Sequence, residues 1–433
     1  MKRVGLFCAF VLLFISQSQS QFVLKGEFRP RFEFRDGYGK LLSKDQEPVF
    51  TVSNRTRLSA YYETGIFSFG FALQDVRIWG DDDIYNKTAI TGSKASIDLN
   101  EGWLGIKPYK NGFIKIGRQY WNYEDGRLLS IRGWNQSEVK YDAVLIQHSQ
   151  DKLKIDVGLS WNNLADKQFE DFYPDDKMKS LNFIYAKTSI AKGIDLSAMG
   201  VLSGFTASDT SLDINWQGTY GAYLKIKKAG LSALASGFYQ SGRNRFAGEK
   251  TSAYLFAVSA DYILKKEVSF GAGIDYLSGD NQKSSDPGYI EKCHAFDIFY
   301  GGRHSVLGHM DLFNDLPSST KDGGLVDVYF RLKWMFVENA HVGGDFHLFS
   351  LQNEVMYFSG ENLKYYEKGL GQELDLYASW DVSKIFNIKG GYSMFFATET
   401  MERIQGVYGN ARFPNWAWIM ITAKPIFLET AAK

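Results

Sequence analysis

Nine of the fifteen arginines that follow residue 20 fall between Arg29 and Arg132. A guanidinium is a planar fork that can grip a carboxylate through two parallel hydrogen bonds, and it stays charged at any physiological pH. Arg29, Arg31 and Arg35 recur at even spacing in one segment, and Arg55 and Arg57 do so in the next. On an extended chain even spacing means one face. Neighbouring strands lie ~4.8 Å apart, so these five guanidiniums could share a patch, and rings of Arg or Lys are how pores select anions. Glu27 and Glu33 are interspersed on the same parity and would keep an anion from being held too tightly to leave. The alternative is a ladder of ion pairs in which arginine and glutamate satisfy one another and carry no solute. Further along, Arg331 and Lys333 share a face with Asp327 and Tyr329, and Glu373 and Asp375 share one with Tyr377. The first pair extends the candidate conduit and the second supplies counter-charges. Trp121 and Trp134 could stack on sugar faces or anchor at a membrane interface.

The element that must present these charges is written in Leu24 to Arg35, LKGEFRPRFEFR. Leu24, Gly26, Phe28, Pro30, Phe32 and Phe34 fall on one parity; Lys25, Glu27, Arg29, Arg31, Glu33 and Arg35 fall on the other. A strand sends successive side chains to opposite faces, so one face is apolar and one is charged. A soluble sandwich could bury the first and wet the second; a membrane barrel does the inverse, with lipid outside and a charged, watery lumen inside. The same alternation recurs over 154–161, 268–276, 326–334, 341–348 and 373–378. Each run is ~8–10 residues, the length a tilted strand needs to cross a membrane. Trp161, Tyr276 and Trp334 end outward runs, as an interfacial aromatic girdle would.

Lys2 and Arg3, an apolar run from Val4 to Ile15 and small residues at Ser18 and Ser20 predict a secretory signal peptide over 1–20. Removing it takes two basic residues from 49 and leaves 47 against 49 acidic, a formal charge of −2. That balance argues against bulk nucleic-acid binding. Cys293 is then the one cysteine left, so no disulfide framework is available. No later segment offers ~20 consecutive apolar residues, which excludes helical spans. Aromatic content of 16% with 42 Gly and 8 Pro suits barrel strands, turns and girdles.

Short breaks alternate with long polar inserts over 80–96, 162–180, 278–292, 303–324, 352–371 and 398–415. Short turns on one side and long loops on the other are the asymmetry of an outer-membrane barrel. Residues 21–433 then form one all-β transmembrane antiparallel barrel of about 18 strands, at ~22–24 residues per strand and connection. Pro30 cannot donate to a ladder and predicts a bulge or a local gap. Asp75 and Arg77 continue the outward parity of Phe67, Phe69, Phe71 and Leu73, which requires a bulge or passage out of the lipid zone.

Other chemistry is thinly represented. His304, Ser305 and Asp311 are close in sequence, but proximity on a loop is not a nucleophile–base–orienter relay, and no G-x-S-x-G, P-loop or dinucleotide fingerprint occurs. Asp81–Asp83 and the group Glu170, Asp171, Asp175 and Asp176 lack an ordered Ca²⁺-ligand spacing and read as solvated loops. His341 and His347 read as polar lining. Neither an enzyme nor a bound metal or cofactor is expected.

Four ordered segments resemble the alginate-export family of outer-membrane porins. They are Gln74-Asp-Val-Arg77-Ile-Trp-Gly80; Gly117-Arg-Gln119 with Tyr123, Asp125-Gly-Arg127-Leu, Trp134 and Tyr141-Asp142-Ala143; Ser278-Gly-Asp280 with Phe296-Asp297, His304, Gly308 and Met310-Asp311-Leu-Phe313; and Leu370-Gly-Gln-Glu373-Leu-Asp375-Leu-Tyr377 with Gly391-Tyr-Ser-Met-Phe-Phe396. The resemblance implies an 18-stranded barrel in a Gram-negative outer membrane, with loops folding over or into an arginine-rich pore that conducts an anionic polysaccharide. It adds Arg77, Arg118, Arg127 and Arg132 to the conduit candidates. The chain departs from the family pattern at Gln372, where a His is more usual, and in its loop lengths. The expected function is passage of an anionic polysaccharide or oligosaccharide such as an alginate-like uronate. The alternative is a general small-solute porin whose lumen charges are structural. Expected partners are that solute, outer-membrane lipids and periplasmic export or uptake components.

Overall fold

The computed structural model describes residues 20–80 and 97–430, apart from Phe246 and Phe299. The expected leader, all but its last residue, and Asp81–Asp83 lie outside the described residues. Among those described, eighteen antiparallel strands close into one barrel. The first six are β1 (Gln21–Asp36), β2 (Val49–Glu63), β3 (Phe67–Ile78), β4 (Ile97–Ile106), β5 (Gly112–Gln119) and β6 (Tyr141–Gln150). Then follow β7 (Leu153–Trp161), β8 (Met178–Ala191), β9 (Ile194–Thr206), β10 (Ile214–Lys228), β11 (Leu231–Arg243) and β12 (Lys250–Leu264). The last six are β13 (Val268–Leu277), β14 (Leu325–Val337), β15 (Ala340–Ser350), β16 (Gly369–Ser383), β17 (Phe386–Ala397) and β18 (Asn415–Ala423, resuming at Ile426–Glu429). Each strand pairs with its neighbours in sequence, and β18 pairs with β1, so no edge is left open.

The period-2 pattern decides which side is which. On β1 the alternate residues Phe28 and Phe34 are exposed, whereas Arg29, Arg31 and Glu33 are buried. Phe67, Phe69, Phe71 and Leu73 on β3 are likewise exposed, as are Leu104, Ile116, Ile146, Leu159 and Ile184 on later strands. The charged parity therefore faces the interior, and the apolar skin faces outward to lipid. Hairpin chemistry sets the short side: Ala229 and Gly230 both have positive φ (48° and 85°), the primed-turn geometry that matches strand twist.

The two expected irregularities resolve differently. Opposite β18, pairing of β1 stops at Phe28 and resumes at Arg31, a local gap at Pro30, while pairing to β2 runs through in register. β3 has no bulge against β2; the shift lies on β4, between the partners of Ala72 and Leu73. Asp75 and Arg77 thus stay on the outward parity and pair with each other (2.6 Å) at the long-loop end.

Two of the long connections do not stay outside. Loop one, 120–140, and loop two, 278–324, fold into the lumen because they carry more apolar surface than water tolerates. Leu128, Leu129, Phe296, Leu307, Met310, Leu312, Phe313 and Leu316 are at most 5% exposed. They pack on inward-facing Leu145, Leu181, Phe183, Leu255, Phe349 and Phe395 of the wall. Each such side chain fully buried contributes roughly 1.5–3 kcal/mol. Trp121 stacks on Tyr141 (4.5 Å, 18°) and meets Phe183 edge-on, fixing the root of loop one. Loop two is a single insert rather than the two expected over 278–292 and 303–324; the stretch between them contributes only Lys292–Cys293, bridged to Lys250 and Thr251.

Candidate functional site

The inner wall presents two like-charged strips, and each holds one of the lumenal loops. On β1 and β2, Arg29 and Arg55 are direct cross-strand partners, an arrangement that costs energy unless both are engaged. Loop one engages them. Arg29 donates to the carbonyl oxygens of Gly133 (2.8 Å) and Asn135 (3.0 Å) and to Gln136 Oε1 (3.0 Å). Arg31 donates to Trp134 O (2.7 Å) and to Glu33 (2.8 Å), and its guanidinium lies over the Trp134 ring at 4.0 Å. Arg55 pairs with Glu27 and Glu138, and Arg57 with Glu138 (2.7 Å) while donating to Gln74 (2.9 Å). Glu138 ends the loop; burial works against its charge, but Arg55 and Arg57 outweigh it and hold the carboxyl below its usual range.

The second strip, of opposite charge, lies on β13 to β16. Asp275 faces Asp327 and Asp345 faces Asp375 across strand pairs, and Asp275, Asp327, Glu373 and Asp375 are fully buried. Loop one sends Arg127 into it, between Asp275 and Asp125. Loop two offers backbone N–H groups: Met310 donates to Glu373 (2.8 Å) and His309 to Asp375 (3.4 Å). His347 Nδ1 lies within hydrogen-bond distance of Asp327 (2.9 Å), and Ser393 donates to Asp375. Glu373 and Asp375 therefore brace loop two and pair with no arginine among the described residues, unlike Glu27 and Glu33, which pair with the arginines beside them.

The two loops meet in mid-lumen. Gly302 N donates to Gly126 O (2.9 Å), Ser130 N to Tyr300 O (3.2 Å), and Arg132 Nε to Gly301 O (3.0 Å). The paired glycines permit this approach, since a Cβ at Gly301 would lie 2.2 Å from Arg127 O and one at Gly302 2.6 Å from Ser130 Oγ. Beside the junction opens a cleft of about 180 Å³ lined by Arg132, Trp134, Arg303, His304, Asp311 and Asn314, among others. Its acid is already engaged: Asp311 accepts from Tyr38 and faces His304 Nδ1 (2.9 Å). Arg303 makes no side-chain hydrogen bond or ion pair among the described residues. Burial, and then the field of Arg132, push its guanidinium down to about 10, still a cation at physiological pH. Burial lowers Arg132 as well. Two guanidiniums thus line the cleft against the one carboxylate of Asp311, with Asp297 and Asp315 acting on Arg303 from outside the lining; guanidinium at the wall is what an anion needs there.

The remaining candidates fall elsewhere. Arg77 stands on the outer parity of the wall and not on the lumen face. Arg118 continues the outward parity of Ile116 and forks onto Asp142 (2.9 and 2.7 Å). Arg35 pairs with Glu33 (2.9 Å) and lies over Tyr38. Arg331 pairs with Asp261 (3.0 Å) and lines a neighbouring cleft with Asp345 and His347; Lys333 follows it on the inner face. Neither tryptophan offers a free face to a sugar: Trp134 is sandwiched between Arg31 and His304 (4.4 Å, 17°), and Trp121 is 1% exposed. Ser305 Oγ donates to Gly302 O (2.6 Å) rather than to His304, so these two and Asp311 do not form a relay. Arg303 was not singled out by spacing; Gly301-Gly302 immediately before it, inside a long insert rich in apolar residues, was the available signal.

A closed barrel with a lipid-facing apolar skin and a polar interior narrowed by its own loops is an outer-membrane channel of the porin class. The chain belongs to the alginate export family, whose model matches residues 22–415. A comparison with curated protein sequences gives no match. Among solved structures the chain is similar to OccAB1 of Acinetobacter baumannii (13% identity, TM-score 0.60, 94% of this chain and 97% of that one). It is also similar to OprD of Pseudomonas aeruginosa (15%, 0.59, 95% and 94%) and to OpdK of the same organism (11%, 0.57, 94% and 99%). At such identities the likeness is one of fold.

Proposed function

We propose that this channel conducts an anionic polysaccharide or oligosaccharide of the uronate type past the Arg132–Arg303 cleft. The observation that carries the reading is Arg303, a half-buried guanidinium beside a second one, with no partner of its own among the described residues. A carboxylate passing there would accept charge-assisted hydrogen bonds that the protein does not supply. The wall arginines Arg29, Arg31, Arg55 and Arg57 set the width of the passage by holding loop one, and their full engagement favours a structural role for that group. The second reading, a general small-solute porin, draws on that engagement. Planar-bilayer recording separates the two. Under the first, reversal potentials show anion preference, uronate oligomers block the current, and Arg303→Gln weakens both. A channel without ion preference that uronate oligomers do not block would establish the second.

A further inference from the structure

The periplasmic mouth carries a second basic cleft, whose lining includes Glu27 and Arg29 of β1. Its volume is about 440 Å³, and it lies where the turn between β16 and β17 meets the end of β18. Lys424 N donates to Ile385 O (2.8 Å), which locks that turn against β18. In register, His341 faces Ser379, Ser379 faces Lys389, and Asn387 faces Thr422, so these side chains converge on the inner face. Lys384, Lys389 and Lys424 are exposed and make no side-chain hydrogen bond or ion pair among the described residues. The acids nearby are engaged: Glu27 with Arg55, and Asp381 with Asn387 (2.7 Å). One connection on the opposite rim has the reverse character. The connection 162–177 carries Asp166, Glu170, Asp171, Asp175 and Asp176 against Lys167 and Lys177.

We propose that this cleft is a loading site for a polyanion presented from the periplasm, so that the channel takes up its cargo on the inner side. The inference rests on the anionic-polymer reading above and adds its polarity. Single exposed lysines are well hydrated and screened beyond about 8–10 Å in physiological salt. Three in one cleft can engage successive carboxylates of one chain, and each engagement raises the effective concentration for the next. A basic inner mouth and an acidic outer rim also raise the capture rate on one side only. An acidic protein segment would lack the repeating ring-borne carboxylates, and the test below tells it from a polysaccharide.

The experiment is single-channel recording of the full chain, oriented in a planar bilayer, with a uronate oligomer added to one chamber at a time. The on-rate of block from the periplasmic side should exceed that from the extracellular side by about 10-fold at low salt. Changing Lys384, Lys389 and Lys424 together to Gln should bring the two sides level in a channel that still inserts and conducts. If that triple variant fails to insert, Lys389→Gln alone should lower the periplasmic on-rate about 2-fold. Equal block from both sides of the unaltered channel overturns the loading site and leaves the anionic conduit standing. Block from neither side overturns the conduit itself. Side-selective block by polyglutamate and not by uronate overturns the polysaccharide in favour of an acidic protein partner.

Discussion

The arginine strip on β1 and β2 and the acidic strip on β13 to β16 solve the same problem with opposite charge. Each sets like charges directly across a strand pair, and each is made tolerable by a loop folded into the lumen. They differ in redundancy. The arginine strip receives several carbonyl oxygens and the carboxylates of Glu27, Glu33 and Glu138, spread over four guanidiniums. The acidic strip relies on one guanidinium, that of Arg127, two backbone N–H groups, His347 and the hydroxyls of Ser393 and Tyr377. A guanidinium can satisfy itself on almost any backbone turned toward it, whereas a buried carboxylate needs a donor at a particular place. The acidic strip should therefore be the more brittle of the two.

Arg127→Met tests the brittle side and should have the largest effect. It leaves Asp275 buried without its cation, a loss of about 3–5 kcal/mol for a dry pair. Loop one should come loose from the acidic strip, lowering the thermal midpoint of the inserted barrel and producing large, noisy conductance. Adding Asp275→Asn should restore part of the midpoint, and a wild-type midpoint in Arg127→Met would show that the strip does not depend on this cation.

On the arginine strip, Arg55→Ala removes contacts worth about 1.5–3 kcal/mol when shielded, and less in a wet lumen. Its neighbours remain engaged, so the barrel should insert normally with a modestly wider pore, read as higher single-channel conductance. An unaltered conductance would mean that Arg55 does not set the width.

Acid acts on both lumenal loops. Glu138 and Asp311 both have carboxyls held below the usual range, the first by Arg55 and Arg57 against its burial, the second by His304 against its own. A depressed carboxyl contributes stability that is complete above its unfolded value and is lost as pH falls through the folded one. Loop one should thus stay latched through neutral pH and loosen in the acid range, with conductance rising as pH drops below about 4. Glu138→Gln should remove most of that rise; an undiminished rise would assign it to other groups.

The smallest effect should come from Trp134→Leu. Its stack with His304 and its contact with Arg31 contribute about 0.5–1.5 kcal/mol each. Current noise should increase slightly, with little change in uronate affinity, because neither ring face is open to solute. A large loss of affinity would mean that the ring meets the sugar after all.

Most of the wall was legible in the sequence because a strand has period 2 and a membrane asks one question of each face. Phe28 and Phe34 against Arg29 and Arg31 answered it without any knowledge of pairing. What the arginines touch was not legible. Their partners, Gly133 to Glu138, lie on a loop that carries no periodicity. Glu373 and Asp375 were visible as acids on one face, but only the order of strands shows that they sit against Met310 and His309 and not against arginine. Arg303 was hidden for the same reason: its setting is made by two loops meeting, a contact between segments far apart in sequence.

On the proposed function, wall arginines set the width of the passage while the loop arginine meets the solute. Recording Arg55→Ala and Arg303→Gln side by side in the same salt gradient tests it most directly. Arg303→Gln should shift the reversal potential toward zero preference at unchanged conductance, and Arg55→Ala should raise conductance at nearly unchanged preference. The reverse assignment, with selectivity lost in Arg55→Ala and kept in Arg303→Gln, would contradict it.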